Sequence, residues 1–227
     1  ISAVTYGTKK IKPVNKVIGP GNQFVSAAKK EVSGDIGIEA MTAGPSEVLI
    51  VADKSSNPEW LASDLLGQAE HDQLAQCILI SKDKNILEKS KKEVFEQLKN
   101  LPRSSVAKKS LMMNGILIYA NSDKKIIEIT NKIGPEHLEL NVKNYKSFVA
   151  KIKNAGSVCL GKYAVMAMTD YGAPGSNHVL PTDSSSKYSS GLNVSEFMKK
   201  ISYITLSKKG IDKLGPSVIT LANYEGL

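Results

Sequence analysis

Glu47-Val48-Leu49-Ile50-Val51-Ala52 is a short apolar run with one charge, at its leading end. It is followed by Asp53-Lys54-Ser55-Ser56 and then Asn57-Pro58. The run reads as a buried strand, and Asn57-Pro58 reads as a helix start, with Asn57 as N-cap and Pro58 at the first helical position. The helix carries Trp60, Leu61, Leu65 and Leu66 on its apolar side. Working outward, strands are expected at 76–81, 115–120, 138–142 and 156–160, and helices at 83–100, 104–113, 124–133 and 144–153. Upstream, 14–18 reads as a strand that ends in Gly19-Pro20-Gly21-Asn22, before a helix at 23–32. Strands alternating with helices imply βαβ units, a mainly parallel sheet and sites at the carboxyl ends of strands. Gly19–Asn22 and Ala43–Ser46 are therefore expected at such ends, facing one cleft. Residues 161–190 are rich in Gly, Pro, Ser and Asp; so long a loop in a compact domain is usually functional or disordered. Residues 194–227 read as a short strand and helices.

The chain has 227 residues, 41% hydrophobic and 23% charged, which is ordinary globular composition. No apolar run approaches the ~20 residues of a membrane span, and residues 1–10 do not read as a signal peptide. The start lacks Met and reads as a cut within an element. Two isolated cysteines, Cys77 and Cys159, each in an apolar run, argue for a reducing, cytoplasmic setting and read as small buried hydrophobes. The net charge of +8 raises nucleic-acid binding as a rival function. Nearly all of it is lysine, Arg103 being the only arginine, with no Arg fork or aromatic platform, so a solvated lysine surface is the preferred reading.

Candidate chemistry gathers at the three histidines, each in a polar cluster at an element's end. In Gln68-Ala69-Glu70-His71-Asp72, Gln68 and His71 stand three apart on one helix face, a common way to present a metal. A polar helix terminus, where the macrodipole favours His, is the more frequent reading of such a cluster. Gly134-Pro135-Glu136-His137 stops a helix and places two titratable groups on a turn. They could divide acid–base work, or simply be solvated. Thr169-Asp170-Tyr171 supplies a hard oxygen donor suited to zinc beside His and Gln. It precedes Asn177-His178-Val179-Leu180-Pro181, where His178 could bind a substrate carboxylate or hydroxyl. Gly19–Asn22, between strand and helix, is placed to hold a phosphate or dinucleotide on backbone N–H groups.

Six blocks, VIGPGNQFVSAAK, AGPSEVLIVAD, DLLGQAEHDQ, IGPEHLEL, AGSVCLG and NHVLPT, occur in the order of the histidinol dehydrogenase family, which the chain resembles over essentially its whole length. The resemblance implies an enzyme that oxidises L-histidinol to L-histidine through the aldehyde, with Zn2+ and two NAD, in histidine biosynthesis. It implies zinc ligands at Gln68, His71 and Asp170 and a fourth ligand, a histidine, a few residues past Leu227. Glu136 and His137 match the catalytic pair, Ser46 and His178 match substrate contacts, and Asn22 matches a cofactor contact. Glu225 matches a substrate contact donated across a homodimer. The implied fold is α/β: a Rossmann-like mainly parallel sheet with flanking helices at 46–190. Residues 1–45 form the end of an incomplete second Rossmann-like domain, and 191–227 the start of a small C-terminal α/β dimerisation subdomain. The sequence departs from the family in two turns that read one residue longer, at Glu39-Ala40-Met41 and between Asp170 and His178. Gly67 also stands where a serine is more usual. A non-catalytic fragment of such an enzyme is the remaining alternative.

Overall fold

The computed structural model describes residues 1–19, 21–39, 44–172 and 177–227. Both turns read as one residue longer, and Ala43, fall wholly or partly outside these. The chain divides into two compact units, Ile1–Asn193 and Val194–Leu227.

The first unit begins with α1 (Ser2–Tyr6), β1 (Lys16–Val17), α2 (Gln23–Glu31) and β2 (Gly37–Ile38); β1 and β2 pair in parallel. Next come β3 (Glu47–Ala52), α3 (Pro58–Ala69), β4 (Gln76–Ser81), α4 (Lys84–Leu98), α5 (Ser104–Asn114) and β5 (Gly115–Tyr119). The unit is completed by α6 (Asp123–Ile133), β6 (His137–Asn141), α7 (Lys146–Val149), β7 (Ser157–Leu160) and α8 (Met166–Tyr171). Strands β3 to β7 form one parallel sheet in the order β5-β4-β3-β6-β7. The mainly parallel α/β sheet with flanking helices is thus as expected.

β3 lies at the centre because both its faces are apolar. Val48, Ile50 and Ala52 pack with Leu61, Leu65, Leu66, Leu79 and Leu87 on the side of α3 and α4. Leu49 and Val51 pack with Ile78, Ile126, Leu138, Leu140 and Phe148 on the side of α6 and α7. Near-continuous hydrophobicity marks a strand covered on both faces. Asn57 caps α3 as expected, accepting from the Glu59 N–H at 2.8 Å, and Ser122 caps α6, accepting from that of Lys125 at 3.2 Å. Gly134 closes α6 at φ 62°, where any side chain would be strained.

Three expectations need correction. Residues 144–153 form only the single turn α7, because the α6 side chain Asn131 captures the backbone of residues 151–154. Its Oδ1 accepts from the Lys153 and Asn154 N–H groups at 2.7 and 3.2 Å, and its Nδ2 donates to the Lys151 carbonyl at 2.9 Å. Residues 161–190 are not one long loop. They contain α8, and the serine run fastens the end of α6: Ser184 Oγ donates to the Ile133 carbonyl (2.6 Å) and Ser186 Oγ to that of Gly134 (2.9 Å). In the second unit no strand forms among the described residues; Val194–Phe197 is a short 3-10 turn and α9 (Lys208–Glu225) a single helix. A lone strand leaves its backbone groups unpaired, and this unit offers no second one.

Gly67 sits inside α3, and a Cβ there would meet nothing within 4 Å. Gly67→Ala should therefore stabilise this chain by about 0.5–1 kcal/mol, the usual cost of a mid-helix glycine. Chemical denaturation of the two chains checks it, and a loss of stability would mean that the glycine serves a contact.

Candidate active site

The chain from Gly134 to His137 connects the end of α6 to the start of β6, so Glu136 and His137 stand at the amino edge of the sheet. Gly44 and Ser46 precede β3 at the same edge. Gln68, near the end of α3, arrives there because a crossover helix runs antiparallel to its strands. A cleft of about 180 Å³ is lined by Gln68, His71, Glu136, His137, Asp170 and His178, with Ser46, Gly44 and Gly21. The expectation of a single cleft shared by the two turns holds for the described residues Gly21, Gly44 and Ser46. The expectation of strand carboxyl ends does not: Gly19 follows β1, but Ser46 leads into β3. In this sheet Glu136 and His137 come from the turn that enters β6.

Two glutamates fasten that edge. The Glu47 N–H donates to Glu136 Oε2 at 2.9 Å, and the Glu136 N–H donates to Glu47 Oε2 at 3.3 Å. This reciprocal pair ties the first residue of β3 to the turn before β6. The Asp183 N–H donates to Glu47 Oε1 at 3.2 Å, adding the later loop to the same anchor. Burial pushes the Glu136 carboxyl up to about 7, its two acidic neighbours Glu47 and Asp170 add to the rise, and the bonds from the Glu47 N–H and the Ser46 side chain oppose it. Glu47 is also raised, by burial. His137 is buried and shifted downward by desolvation, so the neutral imidazole is favoured. Its Nε2 lies 3.9 Å from both Glu136 Oε1 and Asp170 Oδ1, and His178 Nδ1 lies 3.7 Å from Asp170 Oδ2.

α3 ends at Ala69, so His71 is not on the helix as expected but in the turn beyond. The His71 N–H bonds to the Gln68 carbonyl at 3.2 Å, a three-residue closure that puts residues i and i+3 on one side. Both residues still line the cleft. An Arg103 guanidinium N–H donates to the His71 carbonyl at 3.3 Å.

Whether these groups fit a zinc ion can be judged from their bonding. Gln68 is 1% exposed, and neither its Oε1 nor its Nε2 has a hydrogen-bond partner; Asp170 Oδ1 is likewise buried and unpartnered. Buried polar atoms are rarely left so, and oxygen donors converging beside an imidazole suit zinc. Among the described residues no three His, Cys, Asp or Glu side chains make a metal cage, so the set depends on the Gln68 amide. Cys77 and Cys159 are free and buried, their thiols pushed up to about 12 by burial, which leaves them inert.

Asn22 is the N-cap of α2: its Oδ1 accepts from the Phe24 and Val25 N–H groups, both at 3.1 Å. Those are the groups a phosphate would take at this helix end, so the turn is not the phosphate cradle expected of it. A dinucleotide would meet the region through Asn22 itself and the Gly21 backbone. Glu39, not singled out from sequence, lines the same cleft and pairs with Lys29. It also accepts from the Gly19 N–H at 3.3 Å. Glu225 ends α9 in the other unit, exposed.

Residues 1–227 match the family model for histidinol dehydrogenase throughout. The chain belongs to the histidinol dehydrogenase family. It is 74% identical over 227 residues to the histidinol dehydrogenase of Pelagibacter ubique and 45% identical to that of Listeria monocytogenes, covering all of this chain and 53% of each relative. The crystal structure of histidinol dehydrogenase from Elizabethkingia anophelis matches with a TM-score of 0.94 at 42% identity, over 99% of this chain and 52% of that one. The chain thus spans about half the length of the relatives it matches. No described helix is long and apolar enough to cross a membrane.

Glu47 and Glu39 were missed as members of the site. For Glu47 a signal exists: a charge opening an otherwise wholly apolar strand needs a partner when that strand end is covered.

Carboxyl-carbon NMR titration of this chain, free of metal, should place Glu136 near 7; an ordinary value near 4.5 would show that the edge is solvated. Its folded value lies above its unfolded one. Its stabilising contribution is therefore present below about 4.5 and lost as pH rises through about 7. Glu136→Gln should remove that part of the slope of stability against pH.

Proposed function

We propose that the chain is the catalytic portion of an enzyme that oxidises L-histidinol to L-histidine through the aldehyde, with two NAD, in histidine biosynthesis. The observation that carries the reading is the meeting, in one cleft, of a buried Glu136–His137 pair with Gln68, His71 and Asp170, two of which hold unpartnered buried oxygens.

Gln68, His71 and Asp170 would hold zinc, with a fourth ligand outside this set; when bound, the ion would hold the substrate by its imidazole and amino nitrogens and so fix its orientation. NAD, when bound with Asn22 among its contacts, would accept the two hydrides. His137, neutral because it is desolvated, takes the alcohol proton at Nε2, the ring nitrogen that faces Glu136 and Asp170. Glu136 has one oxygen committed to the Glu47 N–H. The other draws a proton from the water that hydrates the aldehyde, and His137 acts again as base in the second oxidation. A carboxyl near 7 divides between its two forms at neutral pH, which suits a group that must accept a proton and return it. Ser46 and His178 would hold the substrate beside the pair, and Glu225 would be donated across a homodimer. The domain division at residues 45 and 190, a cytoplasmic location and the absence of nucleic-acid and membrane partners belong to the same reading.

The test is NADH formation from L-histidinol by a protein of the relatives' full length, loaded with zinc; none formed would sink the proposal. In that protein, His137→Asn should lower turnover on the order of 10²–10⁴-fold with zinc content near normal. His71→Ala should remove the zinc. Zinc lost in the first variant would make His137 a ligand, and zinc retained in the second would take His71 out of the set.

A further inference from the structure

On the side of the sheet covered by α3, β6 presents His137, Glu139 and Asn141 in alternation. Its other face carries Leu138 and Leu140. Glu139 stands between Ile50 of β3 and Cys159 of β7 and is 1% exposed. A carboxyl in the middle of a parallel sheet costs free energy unless its oxygens are satisfied. Oε1 accepts from the Met166 N–H at 2.8 Å. The Asp64 carboxyl, on α3, is the acidic neighbour of Glu139 and raises its pKa further. Asp64 Oδ2 and Glu139 Oε2 are both buried, and neither has a hydrogen-bond partner. Two ionised carboxylates side by side repel, and one proton held between the two unpartnered oxygens would satisfy both. Burial and mutual repulsion push Glu139 well above its ordinary value, and burial lifts Asp64 to about 6. The more deeply buried Glu139 would hold that proton and Asp64 would accept it.

The placement of the pair gives it a use. Asp64 lies one helical turn before Gln68 on α3. Glu139 lies two residues after His137, on the same face of β6. Met166, which binds Glu139, opens α8 one turn before Asp170. This single set of contacts joins the three elements that deliver Gln68, His137 and Asp170 to the cleft. Apolar side chains of similar volume would stabilise such a core as well or better, so the pair's value lies in fixing geometry. We propose that Asp64 and Glu139, sharing one proton, are positioning residues that set α3, β6 and α8 so that Gln68 and Asp170 meet the metal beside His137. This rests on the reading of those residues as a zinc site.

The experiment uses the full-length protein that carries this chain and measures zinc affinity by chelator competition, kcat with histidinol, and the infrared carbonyl band of a protonated carboxyl group. Glu139→Met can neither share the proton nor accept from Met166. Zinc affinity and kcat per folded molecule should each fall on the order of 10-fold or more, as when the supports of metal ligands are removed. Glu139→Gln donates to Asp64 through its amide and still accepts from Met166. It should keep both quantities within about 3-fold of wild type, well inside the loss expected from breaking the link, while losing the part of the protonated-carboxyl band that Glu136→Gln leaves in place. Asp64→Ala severs only the α3 arm and stands in where Glu139→Met does not fold; its zinc affinity should fall through Gln68. Zinc affinity unchanged in folded Glu139→Met or Asp64→Ala overturns the proposal. So does a Glu139→Gln protein as impaired as Glu139→Met, or a wild type without the band. A wild type that shows the band but binds no zinc overturns the reading of the zinc site instead, and leaves the shared proton standing.

Discussion

β3 is covered on both faces, and the rest of the first unit is arranged by that constraint. A strand with Val48, Ile50 and Ala52 on one side and Leu49 and Val51 on the other cannot lie at a sheet edge or face water. It must have a strand on each side and a helix layer above and below. The chain meets this by running β3, β4 and β5 outward in one direction and returning to place β6 and β7 in the other. The reversal leaves the entries to β3 and β6 side by side, and there the Glu47–Glu136 pair closes the sheet's amino edge.

Open parallel sheets usually bind ligands beyond the carboxyl ends of their strands, where the order reverses. Here the reversal lies between β3 and β6, as the rule requires, yet Glu136 and His137 sit at the opposite edge. The physical reason lies in how each group is delivered. Gly134 ends α6 in a left-handed turn that points Glu136 and His137 directly into the start of β6. α3 ends beside them, because its return path finishes where β4 must begin. Gln68 and His71 come from helix end and turn, with the tight closure between them compensating for the helix having stopped.

Carboxyl groups in this unit are buried to a degree that ordinary folds avoid. Glu47, Glu136, Asp64 and Glu139 are all shifted upward, in each case chiefly by desolvation. Backbone N–H groups take an oxygen of Glu47, Glu136 and Glu139. Desolvated carboxyls held by main-chain donors have their orientation set by the sheet, not by side-chain rotamers.

Much was legible in the residues alone. EVLIVA, QCILI and GILIY are local patterns, and local pattern decides strand or helix, so β3 and β4 begin and end where the sequence places them and the cap at Asn57 acts as such. The polar clusters around His71, His137 and His178 could be singled out because titratable side chains next to Gly and Pro stand apart in composition. Tertiary structure alone decided which edge of the sheet these clusters share, since an edge is defined by strands far apart in the chain. It decided that 144–153 would yield to Asn131 after one turn, and that no strand would form after Val194, because each outcome depends on a partner the local sequence does not contain. It also decided that the alternation His-Leu-Glu-Leu in β6 buries Glu139 against Asp64. Periodicity tells which residues share a face; only the packed helix tells whether that face meets water or another carboxyl group.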